Sequence, residues 1–299
     1  MKDKKESVAL LSVISNSGLV LLKLIVGVAI GSVSVISEAI HSGVDLVAAI
    51  IAFFAVKTAN KPADEKHMYG HGKYENFSGT IEALLIFVAA GWIIYEAIKK
   101  LLNQEPMDTV GWGIGVMIFS AIVNIFISNK LFKVGRETDS IALQADAWHL
   151  KTDVYTSFGV AFGLVIFTLG KIAFPDKNLL WIDPVVAIAV ALLIIKAAYD
   201  LTIQSVQGLL DNSLPNDEHS QIISIIESFN AEYKSFHGFK TRKAGADRFI
   251  EFHLVVNPNM TVLEAHNLSD EIADKINSQF TKATVLIHTD PFDDSNEHS

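Results

Sequence analysis

Along the first two-thirds of the chain, apolar residues run together instead of alternating, and polar residues gather at the ends of the runs. A helix that crosses a bilayer needs about 20 mainly apolar residues. Residues 110–129 carry no formal charge over 20 positions and form the cleanest such segment. Residues 154–170 are an uncharged run of 17 that can extend back through Ile141. The segment 184–199 is interrupted only by Lys196, and 79–98 qualifies if Glu82 and Glu96 lie near its ends. Residues 8–30 and 34–59 supply two more, with a turn at Gly31-Ser32 between them. The pattern therefore predicts six transmembrane helices. The first apolar stretch is too long for a cleavable signal peptide and is expected to be the first span.

From Gly208 the pattern changes. Residues 216–229 have helical periodicity, with Ile222, Ile223, Ile225 and Ile226 forming an apolar face. Residues 236–244 and 248–256 read as strands around a Gly245-Ala246-Asp247 turn. Residues 262–280 read as a helix with Thr261 as N-cap, and 284–288 as a β-branched strand. The order αββαβ suits a small α+β domain with its helices on one sheet.

Composition agrees with this division. The 299 residues are 50% hydrophobic and only 19% charged, with net charge −9, against about 25% charged residues in average globular domains. Residues 208–299 hold 15 acids and 7 bases, whereas 1–207 are almost neutral. The expected domains are thus 1–207, membrane-spanning, and 208–299, polar. With the N-terminus inside, ten of the fourteen loop and end Lys and Arg residues fall on the inner side. That bias favours cytoplasmic N- and C-termini. The negative charge argues against nucleic-acid binding. Having no cysteine, the chain is without disulfides, thiolate metal sites or a thiol nucleophile.

Two spans carry the same ionisable pattern. The second contains Glu38-Ala39-Ile40-His41 followed by Asp45, and the fifth contains Asp146-Ala147-Trp148-His149 followed by Asp153. His and Asp four apart share one helix face. Two such faces meeting would present two imidazoles and two carboxylates, a set suited to a tetrahedral first-row cation, zinc above all. The bland alternative is a pair of helices tied by His–Asp hydrogen bonds. Lys23, in the first span, either snorkels or pairs with an acid and is assigned no role. Between the second and third segments lie Asp64, His67 and His71, three potential ligands in a loop whose glycines would let it fold around an ion. The tail holds His237, His253, His266 and His288, with Asp290 two residues beyond the last. Residues i and i+2 of a strand point the same way, so His288 and Asp290 can share a site. His219 and His298 read as surface residues.

These features together resemble the cation diffusion facilitator family, most closely its zinc-exporting branch. The resemblance covers nearly the whole chain and includes Tyr69-Gly70-His71-Gly72-Lys73 and Gly208-Leu209-Leu210-Asp211. It implies a proton-coupled divalent cation antiporter, not an enzyme, working by alternating access as a homodimer in a prokaryotic plasma membrane. By position, His41, Asp45, His149 and Asp153 would be the transport site. Asp64, His67 and His71 would match the family's loop site. His237, His253, His266, His288 and Asp290 would match a binuclear site in a cytoplasmic domain of ferredoxin-like, metallochaperone-like fold. Zinc would be both cargo and structural or regulatory ion, with cadmium and cobalt as alternative substrates. Some bacterial members have Asp where this chain has His41, a change that suits harder cations; His in both halves favours zinc. A zinc-dependent intramembrane hydrolase is the rival of a different class, but its usual His-Glu-x-x-His is absent. A sensor that moves nothing is the third reading.

Overall fold

Six long helices come first: α1 (Lys2–Ile30), α2 (Val33–Ala59), α3 (Lys73–Asn103), α4 (Gly113–Glu137), α5 (Ile141–Ala173) and α6 (Ile182–Leu209). The structure, a computed structural model, describes residues 2–30, 33–103, 113–173, 179 and 181–293. The turn expected at Gly31-Ser32, the first three residues of the 110–129 segment, His298 and the side chain of Glu38 lie outside that set. Two compact units are present, Met1–Val206 and Gln207–Ser299.

Within the first unit, the helices meet through small side chains. Ala48, Ala49 and Ala52 of α2, Ala83 and Ala90 of α3, and Ala142, Ala145 and Ala147 of α5 are fully buried. Lipid tails are as apolar as Leu, so helices gain little by hiding Leu from them; close approach over small residues supplies the packing instead. Gly79 shows how close: a Cβ there would stand 2.5 Å from the Ser205 hydroxyl and 2.9 Å from Ile141. The large apolar residues point outward, among them Leu21, Ile25, Phe54, Trp92, Phe126, Phe158 and Leu193. In water such a surface would be an interaction patch; on helices of this length it is a lipid-facing wall. Among the described residues, five helices are long and apolar enough to cross a membrane, with segments Lys4–Ala29, Ala39–Ala59, Lys73–Asn103, Ile118–Glu137 and Pro184–Leu209. The sixth, α5, is 33 residues long and carries the uncharged run 154–170.

Ionisable residues inside the bundle are more numerous than the repeated motif foretold. Lys5 Nζ lies 2.9 Å from Glu75, and the other oxygen of Glu75 accepts the Ser140 hydroxyl at 2.5 Å. This buried cluster ties α1, α3 and the α4–α5 connection together, with Lys4 and Glu137 paired nearby in sequence. Such a pair is tolerable only because both carboxylate oxygens are engaged. Glu82 corrects a sequence expectation. It does not sit near a helix end: α3 begins nine residues earlier, at Lys73, and buries Glu82 completely.

The second unit is built on a three-stranded sheet, β1 (Ser235–Ala244), β2 (Asp247–Val256) and β3 (Ala283–Pro291), in the order β1-β2-β3. The β1–β2 hairpin is antiparallel; β2 and β3 are parallel and joined through α8 (Val262–Gln279), while α7 (Asn216–Glu227) precedes the sheet. Alternation along β2 sends Ile250, Phe252, Leu254 and Val256 into a core with Ile222 and Ile226 of α7 and Leu268, Ile272 and Ile276 of α8. The opposite positions, Glu251 and His253, therefore lie on the face away from the helices. Thr261 caps α8 in a complete capping box with Glu264. Arg248 grips Glu218 with two bonds of 2.8 and 2.7 Å, clamping β2 to α7.

Candidate metal sites

Helical spacing brings His41 and Asp45 onto one face of α2, and His149 and Asp153 onto one face of α5. The two faces meet. His149 Nε2 is 3.0 Å from Asp45 Oδ1, both side chains buried. His41, Asp45 and Asp153 each offer a ligand atom, all within 4.8 Å of one another. A tetrahedral zinc with bonds of about 2.0–2.1 Å spaces its donors about 3.3 Å apart. Small side-chain rotations would therefore gather the set around one ion. The same three residues line a cavity of about 70 Å³ with Lys23 and Ser42 and with Ser120 and Asn124 of α4. The hydroxyls of Thr156 and Ser157 also line it, but they donate to the Asp153 carbonyl at 2.9 and 2.8 Å.

The loop between α2 and α3 draws Asp64, His67 and His71 together, again within 4.8 Å. Asp64 Oδ1 accepts the backbone N–H groups of Lys66 at 2.9 Å and His67 at 2.7 Å, which folds the loop back on itself. His67 Nδ1 approaches the same oxygen at 3.2 Å, and His71 Nε2 the other at 3.1 Å. The backbone donor of His67, followed by that of Lys66 and by the two imidazoles, holds the Asp64 carboxyl below its usual value, against slight desolvation. These bonds favour the anionic form of Asp64, the form that could hold a cation. His71 is buried, His67 and Asp64 exposed, so an ion would bind at the surface with one anchored donor.

In the second unit, strand register does the gathering. His237 pairs with His253 across β1–β2, and His253 with His288 across β2–β3, one imidazole per strand in a row. Ring centroids are 4.9 and 4.8 Å apart. Asp290, two residues beyond His288 on the same face, is the hub: it lies 2.9 Å from His253 Nδ1, 3.5 Å from His237 Nε2 and 3.1 Å from His288 Nε2. The β1 bulge after His237 contains Gly238 at φ +61°, where a Cβ would press to 3.1 Å against the His253 ring. Glycine there lets β1 pass over the histidine row. His266 stands apart on α8, exposed, with Nε2 3.4 Å from Asp270. Within one chain it is not brought to Asp290.

Sequence reasoning missed part of the surroundings. Lys23 carried a visible signal, a lone cation in an apolar span, but its place in the cavity depends on how α1 meets α2. Ser120 and Asn124 carried none, since polar uncharged residues are ordinary in a span. Asp146 stood at the repeated acid position and is fully buried.

A bundle of membrane-crossing helices with His and Asp donors inside it, followed by a small domain with a histidine row, defines a metal-handling membrane transporter. Residues 9–210 match the cation efflux transmembrane domain family, and 214–292 the cytoplasmic domain of cation efflux proteins, a dimerisation domain. The chain belongs to the cation diffusion facilitator family of cation efflux transporters. It is 36% identical over 265 residues to the uncharacterized transporter sll1263 of Synechocystis, covering 88% of this chain and 83% of that one. It is 30% identical over 275 residues to the cation-efflux pump FieF of Salmonella paratyphi A, covering 92% and 89%. Among solved structures, a chain of the transporter CzrB is 34% identical, at a TM-score of 0.26, covering 27% of this chain and 99% of its own. The metal-bound C-terminal domain of the Thermotoga maritima CzcD transporter is 28% identical, at a TM-score of 0.24, covering 25% and 87%.

Proposed function

We propose that this transporter moves a divalent first-row cation, zinc foremost, out of the cytoplasm through the His41–Asp45–His149–Asp153 site in exchange for protons. The observation that carries the reading is the convergence of those four side chains from α2 and α5. Two imidazoles and two carboxylates match the donor preference of zinc, with cadmium and cobalt as alternative substrates. The contact between His149 and Asp45 supports proton exchange. A hydrogen bond of 3.0 Å between imidazole and carboxylate needs a hydrogen on Nε2 or on the acid. A cation that takes both as ligands must displace it. An imidazole titrates near neutrality, where a transmembrane proton gradient can push that exchange in one direction. Access alternates, so cation enters from the cytoplasmic side and protons replace it from the other.

The working unit in this reading is a homodimer in a prokaryotic plasma membrane, with both termini cytoplasmic and one transport site per protomer. Asp64, His67 and His71 form a cytoplasmic loop site. His237, His253, His288 and Asp290 form a regulatory or dimer-stabilising zinc site in the domain 208–299, with His266 available to a second ion or a second protomer. Metal bound there would bias the membrane domain through linkage. The test is initial flux in proteoliposomes over a panel of cations, with a pH-sensitive dye inside the vesicles. Zinc uptake accompanied by proton counterflow supports the proposal. Zinc binding without flux would reduce the protein to a sensor.

A further inference from the structure

On the lipid-facing surface, α5 and α6 leave a groove of about 520 Å³ between them. The two helices run in opposite directions: a Cβ on Gly170 would stand 2.7 Å from Leu179, and one on Gly159 2.7 Å from Val190. The groove follows α5 from Trp148 to Phe162 and α6 from Val186 to Asp200, about 21 Å along each helix. Phe158, Phe162 and Leu193 are exposed along it. Among the described residues, the charged side chains that line it are Lys196 and Asp200, one turn apart at its Trp148 end. Both are exposed, and neither joins an ion pair or hydrogen bond among the described residues. Trp181, exposed just ahead of α6, marks one edge of the bilayer. Counted from that edge, Lys196 lies about 22 Å and Asp200 about 28 Å into a hydrocarbon core about 30 Å thick. Asp200 thus stands at the depth of the far headgroups and Lys196 one turn deeper. That leaflet is the cytoplasmic one, because the chain continues from α6 into residues 214–292, which match a cytoplasmic domain. Charges that face lipid tails are costly unless a polar group reaches them.

We propose that this groove binds a phospholipid of the phosphatidylethanolamine class from the cytoplasmic leaflet, with one acyl chain along α5 and α6, the phosphate on Lys196 and the ammonium on Asp200. The order of the groups carries the proposal. From the bilayer centre outward, such a lipid presents chain, phosphate and ammonium. In the same direction the groove presents an apolar wall, a cation and an anion. The ammonium of ethanolamine has N–H groups to donate to the Asp200 carboxylate, a charge-assisted bond. A choline head has none, and a glycerol head brings no cation, so both leave Asp200 unanswered. A second copy of this chain fits the surface poorly, because a twofold axis sets like against like and would place groove against groove, leaving both hollow.

The test uses the full chain in detergent, with dioleoyl phosphatidylethanolamine, phosphatidylcholine or phosphatidylglycerol added in mixed micelles and thermal unfolding as the readout. The ethanolamine lipid should raise Tm by at least about 2 °C more than either of the others, as a ligand that binds only the folded form does at several times its Kd. Asp200→Asn should remove that advantage. Lys196→Met should weaken the response to all three lipids, since each carries the phosphate, and Lys196→Arg should keep it. Asp200→Lys should turn the preference toward the anionic glycerol lipid. Equal responses to the three lipids in wild type overturn the proposal, and so does an unchanged pattern in folded Asp200→Asn or Lys196→Met. Should those variants not insert, Ala197→Trp, which fills the groove, takes their place, and an undiminished ethanolamine advantage there overturns it. A change of oligomeric state in Lys196→Met or Asp200→Asn, read by light scattering, would make the surface a contact between copies and overturn it as well.

Discussion

At the scale of single residues, the quartet is two halves that do different work. Asp45 and His149 are buried and already engaged with one another, whereas His41 is exposed and Asp153 half-buried. In the proposed function the accessible pair would meet the ion first, and the ion would displace the proton shared by the buried pair as it takes them as ligands. His41 is therefore the place to alter selectivity. An imidazole is neutral and directional, while a carboxylate adds a negative charge and coordinates in two modes. His41→Asp should keep some zinc flux and raise the relative flux of cadmium, iron or manganese. Initial rates at matched free-ion concentration would show it, and an unchanged ranking would place selectivity outside the ligands. The convergence of these candidate ligands was legible in the sequence because His and Asp at i and i+4 need only one helix to be neighbours. Lys23 and Glu82 were not legible, since their burial is decided by where α1 and α3 lie against the rest of the bundle.

At the scale of elements, α8 and the histidine row make separate predictions. Glu264 accepts the backbone N–H of Thr261 at 2.8 Å, and that bond, with the Thr261 hydroxyl, holds its carboxyl below the usual 4.5. A depressed acid contributes stability above its unfolded value and loses it as pH falls through the folded one. Glu264→Ala should thus weaken α8 at neutral pH and matter little near pH 3. Urea denaturation of the isolated unit Gln207–Ser299, which has its own core, would read the difference at both pH values. A gap of the same size at pH 3 would show that the charge of the carboxylate is not what holds the cap. In the same unit, zinc should raise the melting temperature, because an ion that binds only the folded form stabilises it. Asp290→Ala, which removes the hub, should abolish most of that rise; His266→Ala should abolish much less within a monomer. Equal losses would bring His266 into the site through a second protomer. The cap, the hairpin and the order of elements along the chain all showed in the sequence through local signals such as Thr261 with Glu264. The length of β3 showed only in part: the β-branched run marks 284–288, yet parallel pairing of Asp290 and Pro291 with Val255 and Val256 extends the strand through Pro291.

At the scale of the whole molecule, the two units answer to different solvents. The first turns large apolar side chains outward and keeps small and ionisable ones within; the second does the reverse around one sheet. The composition shift near Gly208 reflects that difference, and a change of solvent class is among the plainest things a sequence can carry. The inside of the bundle is harder to read, because Lys5 and Glu75, and likewise Glu82 and Asp146, come from helices far apart in sequence and only packing makes each pair neighbours. In the proposed function the ion path lies between α2 and α5. The most direct measurement is zinc uptake into proteoliposomes under an imposed pH gradient, for wild type, Asp45→Ala and Asp153→Ala, each shown to be folded. Wild type should take up zinc with proton counterflow, and each variant should lose at least about 99% of the rate, as expected when a ligand carrying several kcal/mol of metal binding is removed. Wild-type flux in either variant would contradict the assignment of the transport site.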